Sequence, residues 1–190
     1  RAGRVQSETD ANGNTRTYLY DGRGSVISST DGNNQTTLYA YTAFNRQITV
    51  TTPENVITTS LYNPYGQVIS ISVGGRTTTF SYDKDGALLT TSDAAGTTTN
   101  AFDVAGRLST VTDGRGGVTK YEYDAANRTV KRTQAFGTLN LETSYTFDGK
   151  GQQVSVTDPN GVVTTIEYDK TGRQTKTNLN QGGLAITTIF

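Results

Sequence analysis

The chain has 190 residues, 17 Lys plus Arg against 17 Asp plus Glu, and no Cys, His, Met or Trp. Without thiols or imidazoles it lacks disulfide staples, a Cys nucleophile, a His general base and a Cys/His zinc set. Balanced charge with no run of one sign gives no pull toward nucleic acid or an anionic membrane, and it suits a segment embedded in a larger particle.

No stretch approaches 18 apolar residues, and Arg1-Ala2-Gly3-Arg4 leads into no apolar leader core, so neither membrane insertion nor a signal is expected of this segment. The absent initiator Met fits a piece of a longer chain. Ala2-Gly3-Arg4-Val5 reads as the tail of an earlier unit, and Ile189-Phe190 falls where a further one is due. Both ends are therefore expected to cut through a continuous array spanning 1–190.

In chain order, an aromatic-Asp-x-x-Gly unit recurs at Tyr20-Asp21 with Gly24, Tyr82-Asp83 with Gly86, Phe102-Asp103 with Gly106, Phe147-Asp148 with Gly151, and Tyr168-Asp169 with Gly172. Weaker copies lie at Tyr41 with Asn45, Tyr62 with Gly66, and Tyr123-Asp124 with Asn127. The eight aromatics are spaced 21, 21, 20, 20, 21, 24 and 21 residues apart. Such a period indicates stacked supersecondary units rather than one globular core.

Each unit carries a second turn signal about ten residues on: Asp31-Gly32-Asn33-Asn34, Asp93-Ala94-Ala95-Gly96, Asp113-Gly114-Arg115-Gly116 and Asp158-Pro159-Asn160-Gly161. Asp at the head bonds backbone N–H groups two residues on, and Gly or Asn at the end takes positive φ at little cost. Val73-Gly74-Gly75-Arg76 is one residue short and predicts a tighter hairpin. The sixth copy is three residues longer, with Gln134-Ala135-Phe136-Gly137 at the turn and an extended strand predicted over Thr138–Phe147, an overhang available to a cargo.

Between turns the runs alternate. Leu139, Leu141, Tyr145 and Phe147 share one side, Tyr121 and Tyr123 oppose Lys120 and Glu122, and Ile69 lies with Ile71. This pattern predicts strands with one buried face. With 36 Thr and 11 Tyr and no sustained 3,4-spaced apolar pattern, the expected class is all-β. Two turns per unit imply antiparallel hairpins, since parallel pairing needs a long crossover. Eight hairpins give about 16 strands, a ladder roughly 75 Å wide that must curl, split or coil.

The residues that look like chemistry recur with the turns. Asp83-Lys84-Asp85-Gly86 lacks the later ligands and closing Glu of a calcium loop. Gly22-Arg23-Gly24 and Gly114-Arg115-Gly116-Gly117 precede no helix that would cradle a phosphate. Asp21, Asp83, Asp103, Asp124, Asp148 and Asp169 occupy one place in every unit, whereas an acid-base pair is needed once. No catalytic residue, metal ligand or cofactor is expected.

The aromatic-Asp-x-x-Gly copies, above all Phe102 to Leu108 followed by Asp113 to Gly116, and Tyr168 to Arg173, resemble the RHS or YD repeats over essentially the whole chain. The resemblance implies tandem hairpins in a curved, spiralling sheet, part of a hollow shell. In bacterial polymorphic toxins and insecticidal toxin complexes such shells enclose a C-terminal toxin, and in teneurins a similar shell belongs to a cell-surface protein. The absence of Cys favours the bacterial branch. The family's autoproteolytic core motif has no match in this chain. The implied role is a non-enzymatic wall segment of an exported bacterial protein, its partners being the rest of its parent chain and an enclosed toxin or cargo domain. The alternative is a carbohydrate- or receptor-binding module, a solenoid or a four-bladed propeller, distinguished by whether the array closes on itself.

Overall fold

Alternating Thr, Tyr, Ile and Val between paired turns produce strands throughout, and the computed structural model describes residues 3–44, 46–181 and 184–190, with only the backbone of Gln181. No helix occurs among them. The described residues form eighteen strands, and within each compact unit hydrogen-bonded neighbours are antiparallel and follow chain order. The chain forms two compact units, 1–97 and 98–190.

In the first unit lie β1 (Ser7–Thr9), β2 (Thr15–Tyr20), β3 (Val26–Thr30), β4 (Thr36–Tyr41), β5 (Gln47–Thr51), β6 (Ile57–Tyr62), β7 (Val68–Val73), β8 (Arg76–Tyr82) and β9 (Leu88–Asp93). Every strand from β2 to β8 is bonded to both of its neighbours. That unbroken ladder excludes the propeller alternative, which requires separate four-stranded blades.

In the second unit lie β10 (Gly96–Phe102, which begins just before the boundary), β11 (Leu108–Thr112), β12 (Val118–Tyr123), β13 (Thr129–Gln134), β14 (Leu141–Phe147), β15 (Gln153–Thr157), β16 (Val163–Tyr168), β17 (Gln174–Gln181) and β18 (Leu184–Ile189). Consecutive pairing runs from β10 to β18.

The expectation of a buried face is not met. No hydrophobic side chain is buried among the described residues, and the four buried residues are Ser25, Ser28, Thr133 and Thr143. A single sheet layer covers neither of its faces, because full burial needs a second layer packed against it. The anchoring aromatics are only half-buried on one face. The opposite face carries hydroxyl pairs across neighbouring strands: Thr30 with Thr36 at 2.8 Å, Ser81 with Thr90 at 2.6 Å, and Thr146 with Ser155 at 2.7 Å. Backbone ladders and cross-strand pairs, rather than a core, hold such a layer together.

Two hairpins depart from the common form. Val73 pairs directly with Arg76, leaving a two-residue loop in which Gly74 and Gly75 have φ of 55° and 85°. A two-residue hairpin with both loop residues left-handed matches the right-handed twist of its strands. In the sixth copy the predicted strand over Thr138–Phe147 is too long: β14 starts at Leu141, and residues 135–140 form the loop. Thr138 N and Asn140 N both donate to Ala135 O, and Asn140 Oδ1 accepts from Gly137 N. The extra residues close a wider turn, with Ala135 and Asn140 left-handed at φ of 49° and 50°, instead of extending the ladder.

Candidate functional site

The recurring loops after each anchoring aromatic concentrate the side-chain bonds of this molecule. In the copy at Asp103, the Asp103 N–H donates to Arg107 O at 2.8 Å and Gly106 N–H returns to Asp103 O at 2.9 Å. Asp103 Oδ1 accepts from Ala105 N and Arg107 N, both at 2.9 Å. Gly106 takes φ of 76°, where a Cβ is unfavourable. The same backbone pair closes the loops headed by Asp21, Asp83, Asp124, Asp148 and Asp169, with Gly24, Gly86, Asn127, Gly151 and Gly172 at the left-handed position. At Asn127, φ is 62°, within the range that Asn tolerates. Asn45 lies outside the described residues.

Two heads are not Asp. Thr42 Oγ1 accepts from Phe44 N and Arg46 N at 3.2 and 3.1 Å, and Asn63 Oδ1 accepts from Gln67 N at 3.0 Å. Sequence reasoning also passed over two second turns, Asp10 to Asn14 and Thr52 to Val56, which close with the same backbone bonds. Gly13 and Asn55 at positive φ were the signal for them.

Bonds from backbone N–H groups and Arg stabilise the ionised carboxylates. Asp103 is held below the usual range first by the Arg107 side chain and then by the Arg107 N–H. Asp21, Asp113 and Asp124 are lowered first by the N–H of Ser25, Gly117 and Arg128 respectively. For Asp169 the Thr171 hydroxyl leads, followed by the Arg173 N–H, and its pKa falls to about 2. These carboxylates are acceptors fixed in the ionised form, the opposite of what a general acid needs at neutral pH.

In five copies the residue after the left-handed position ties its repeat to the next. Arg107 Nε binds Asp103 Oδ2 at 2.7 Å, its Nη1 donates to Asn127 Oδ1 at 2.9 Å, and its guanidinium carbon sits 4.7 Å from the centre of the Tyr123 ring. Arg128 likewise binds Asp124 at 2.7 Å and stacks on Phe147 at 4.5 Å. Arg46 reaches Asn63 O at 3.3 Å and lies over Tyr62 at 5.9 Å. Where Gln stands at this place, Gln67 Nε2 donates to Gly86 O and Gln152 Nε2 to Gly172 O, each at 3.2 Å. The glycines permit this approach: a Cβ at Gly66 would meet Arg46 Nη2 at 3.0 Å, and one at Gly86 would meet Gln67 Nε2 at 3.1 Å.

The anchoring tyrosines form a second set of ties. Tyr41 Oη donates to Val26 O at 2.8 Å, Tyr62 to Gln47 O at 2.9 Å, Tyr82 to Val68 O at 2.7 Å, Tyr123 to Leu108 O at 2.7 Å and Tyr168 to Gln153 O at 2.9 Å. Tyr20 reaches Val5 O at 2.6 Å. Each acceptor whose partner is described stands opposite the preceding aromatic, as Gln47 stands opposite Tyr41 and Leu108 opposite Phe102. Phe102 and Phe147 share the place without the hydroxyl. A β-bulge falls at every one of the eight aromatics, between Leu19 and Tyr20 and likewise through Glu167 and Tyr168. Bulges bend a strand and increase its twist.

Taken together, the aromatic, Asp, Gly and Arg/Gln of one copy serve turn closure and the tie to the next copy. Among the described residues no group of three or more acidic side chains is placed to hold a metal ion.

Comparison with known proteins agrees with this geometry. The teneurin YD-shell family model matches residues 47–190, and the RHS repeat model matches 1–33 and 20–57. No curated protein matches. Among solved structures, the crystal structure of TcdB2-TccC3-TEV is similar over 93% of this chain and 13% of that chain, at 18% identity and a TM-score of 0.53. The Tc holotoxin pore of Photorhabdus luminescens with a substituted TccC3 matches at 17% identity and 0.54, again over 93% and 13%. The chain thus spans about 13% of the length of these solved chains and shares their fold. With a family model covering residues 47 to the C-terminus and RHS repeats ahead of it, the chain belongs to the teneurin YD-shell family.

Proposed function

We propose that this chain is a non-enzymatic wall segment of an RHS/YD-repeat shell that encloses and protects a polypeptide cargo, a C-terminal toxin, within an exported bacterial protein. The observation that carries this reading is the repeat-to-repeat tie. Six of the eight loops after an aromatic use their conspicuous carboxylate to hold their own backbone, Thr42 and Asn63 do the same in the other two, and the following Arg or Gln reaches to the next copy in five cases. A wall needs the same bonds at every step, whereas a catalytic centre needs them once. Membership of the YD-shell family and the fold shared with the Tc toxin structures support the reading. The balanced charge and half-buried faces suit a layer that works inside a larger particle.

The test is protection of the cargo. In the parent protein carrying this segment, a protease added from outside should leave the cargo intact, and Gly→Ala changes at Gly66, Gly86 and Gly172 together should expose it. Cargo cleaved at the same rate in both proteins sinks the proposal. An Asp103→Asn change that removed a measurable hydrolytic activity would also overturn it, and saturable binding on a glycan array would favour a carbohydrate-binding role.

A further inference from the structure

The strand-borne charges of the 98–190 unit divide by face. Opposite the aromatic row each cation has an acid: Lys120 with Glu122 at 3.0 Å, Lys131 with Glu142 at 2.7 Å, and Lys176 with Glu167 at 3.1 Å. Arg132 of β13 projects on the aromatic side, directly across from Tyr121 of β12 and Thr143 of β14. Among the described residues no carboxylate lies within ion-pair distance of it. Its side-chain hydrogen bond runs from Nη2 to Gln134 Oε1 at 3.5 Å, and its buried Nε has no acceptor.

A half-buried guanidinium with five donors and one long bond is poorly satisfied, and an arginine placed so is retained at a cost unless something pairs with it. Its surroundings leave room for a partner. Arg132 lines a hollow of about 300 Å³ together with Thr129, Tyr145, Phe147 and Gln153. Arg128, which stacks on Phe147, already has Asp124 as its counter-ion. One unneutralised positive charge therefore faces a hollow walled by aromatic rings.

We infer that Arg132 and this hollow receive the carboxylate side chain of an acidic polypeptide segment lying against the aromatic face. One guanidinium matches the single charge and planar fork of a carboxylate, with Nη1 and Nη2 as the paired donors, the long Nη2 bond to Gln134 giving way. A phosphate group carries nearly twice the charge and calls for further donors, and every other strand cation of the unit is engaged on the opposite face. The hollow's aromatic walls take up the methylene stem of Glu. The inference rests on the proposed enclosure of a polypeptide and adds to it the chemistry by which that polypeptide is held.

The experiment follows the arginine side-chain nitrogens of the 190-residue chain by NMR during titration with acetyl-Gly-Thr-Glu-Thr-Gly-amide, its Gln counterpart, and inorganic phosphate. The Arg132 signal, identified by its loss in R132K, should shift to saturation with the Glu peptide, and the Gln peptide should bind about ten-fold more weakly. R132M should abolish the preference for Glu while leaving Tm unchanged or higher, because it removes an unsatisfied buried donor. Equal binding of the two peptides, a Glu preference that survives R132M, or phosphate binding more tightly than the Glu peptide would each overturn the inference. Should R132M not fold, the wild-type titration decides alone. Peptide binding is read on this chain and cargo protection on the parent protein, so the two readings fail separately.

Discussion

At the loops headed by Asp103 and Asp124, the following arginine leaves its own turn and reaches the next copy, whereas at the loops headed by Asp31, Asp113 and Asp158 the carboxylate bonds stay within the loop. Both rows use the same turn chemistry, with Asp at the head and a left-handed residue at the end. They differ in what surrounds the turn. The first row has a bulge at each aromatic, a hydroxyl tie wherever that aromatic is Tyr, and in five copies an Arg or Gln reaching to the next loop; the second has a regular hairpin register with hydroxyl pairs beside it. The same local motif can thus be either a simple reversal of the chain or a joint between repeats, and a long Arg or Gln in or just after it makes the joint.

This difference predicts a graded response to substitution. The largest effect should come from replacing Gly66, Gly86 and Gly172 together by Ala. Each pays the left-handed backbone penalty, about 1–2 kcal/mol per residue, and each added Cβ also crowds the Arg or Gln above it at 3.0, 3.1 and 3.3 Å. Gly13, Gly116 and Gly161, where a Cβ meets nothing within 4 Å, should lose the backbone contribution alone. Urea unfolding of the two triple variants would show it, and equal losses would mean that the ties contribute nothing.

Acid should act next, through several loops at once. The folded-state pKa values of Asp21, Asp103, Asp113, Asp124 and Asp169 lie below the ordinary 3.8. The stability they contribute is therefore fully present above that value and lost as pH falls through the folded values, down to about 2 for Asp169. Unfolding midpoints measured from pH 6 downward should stay level above about pH 4.5 and then fall. A fall beginning near pH 6 would point to other groups.

Tyr123→Phe removes a hydroxyl bond to Leu108 O at 2.7 Å and leaves the ring under Arg107. A loss of about 1 kcal/mol is expected from calorimetry or denaturant titration, and no loss would deny the hydroxyl ties a role. Thr30→Val, which breaks one hydroxyl pair beside a second turn, should change stability by less than about 0.5 kcal/mol, so a loss matching that of Tyr123→Phe would erase the distinction between the two rows.

Much of the fold was legible because its determinants are local. Asp at the head of a turn and Gly or Asn at its end reflect the backbone of four or five residues, and Asn127 standing in for Gly identified the left-handed position without coordinates. The alternation in Val118–Tyr123 fixed which side chains share a face. Local rules erred at residues 138–140, where an apparently alternating run was taken up in a wider loop, because a strand lengthens only as far as its partner can pair with it. They also missed the turns headed by Asp10 and by Thr52, the second with a hydroxyl in place of a carboxylate.

The period, the all-β class, the hairpin as the unit and the turn role of the aspartates are all readable from the residues, since each depends on contacts within one or two strands. What the aromatics and arginines do became visible in the folded ladder alone. Tyr123 and Leu108 are joined across a hairpin, Arg107 and Asn127 meet across two strands, and Arg132 is left without a counter-ion although Lys131 beside it has one. Those outcomes depend on register, on the bulge at each aromatic and on which face a side chain occupies. A one-residue change in register would exchange the two faces, and only the folded ladder fixes that choice.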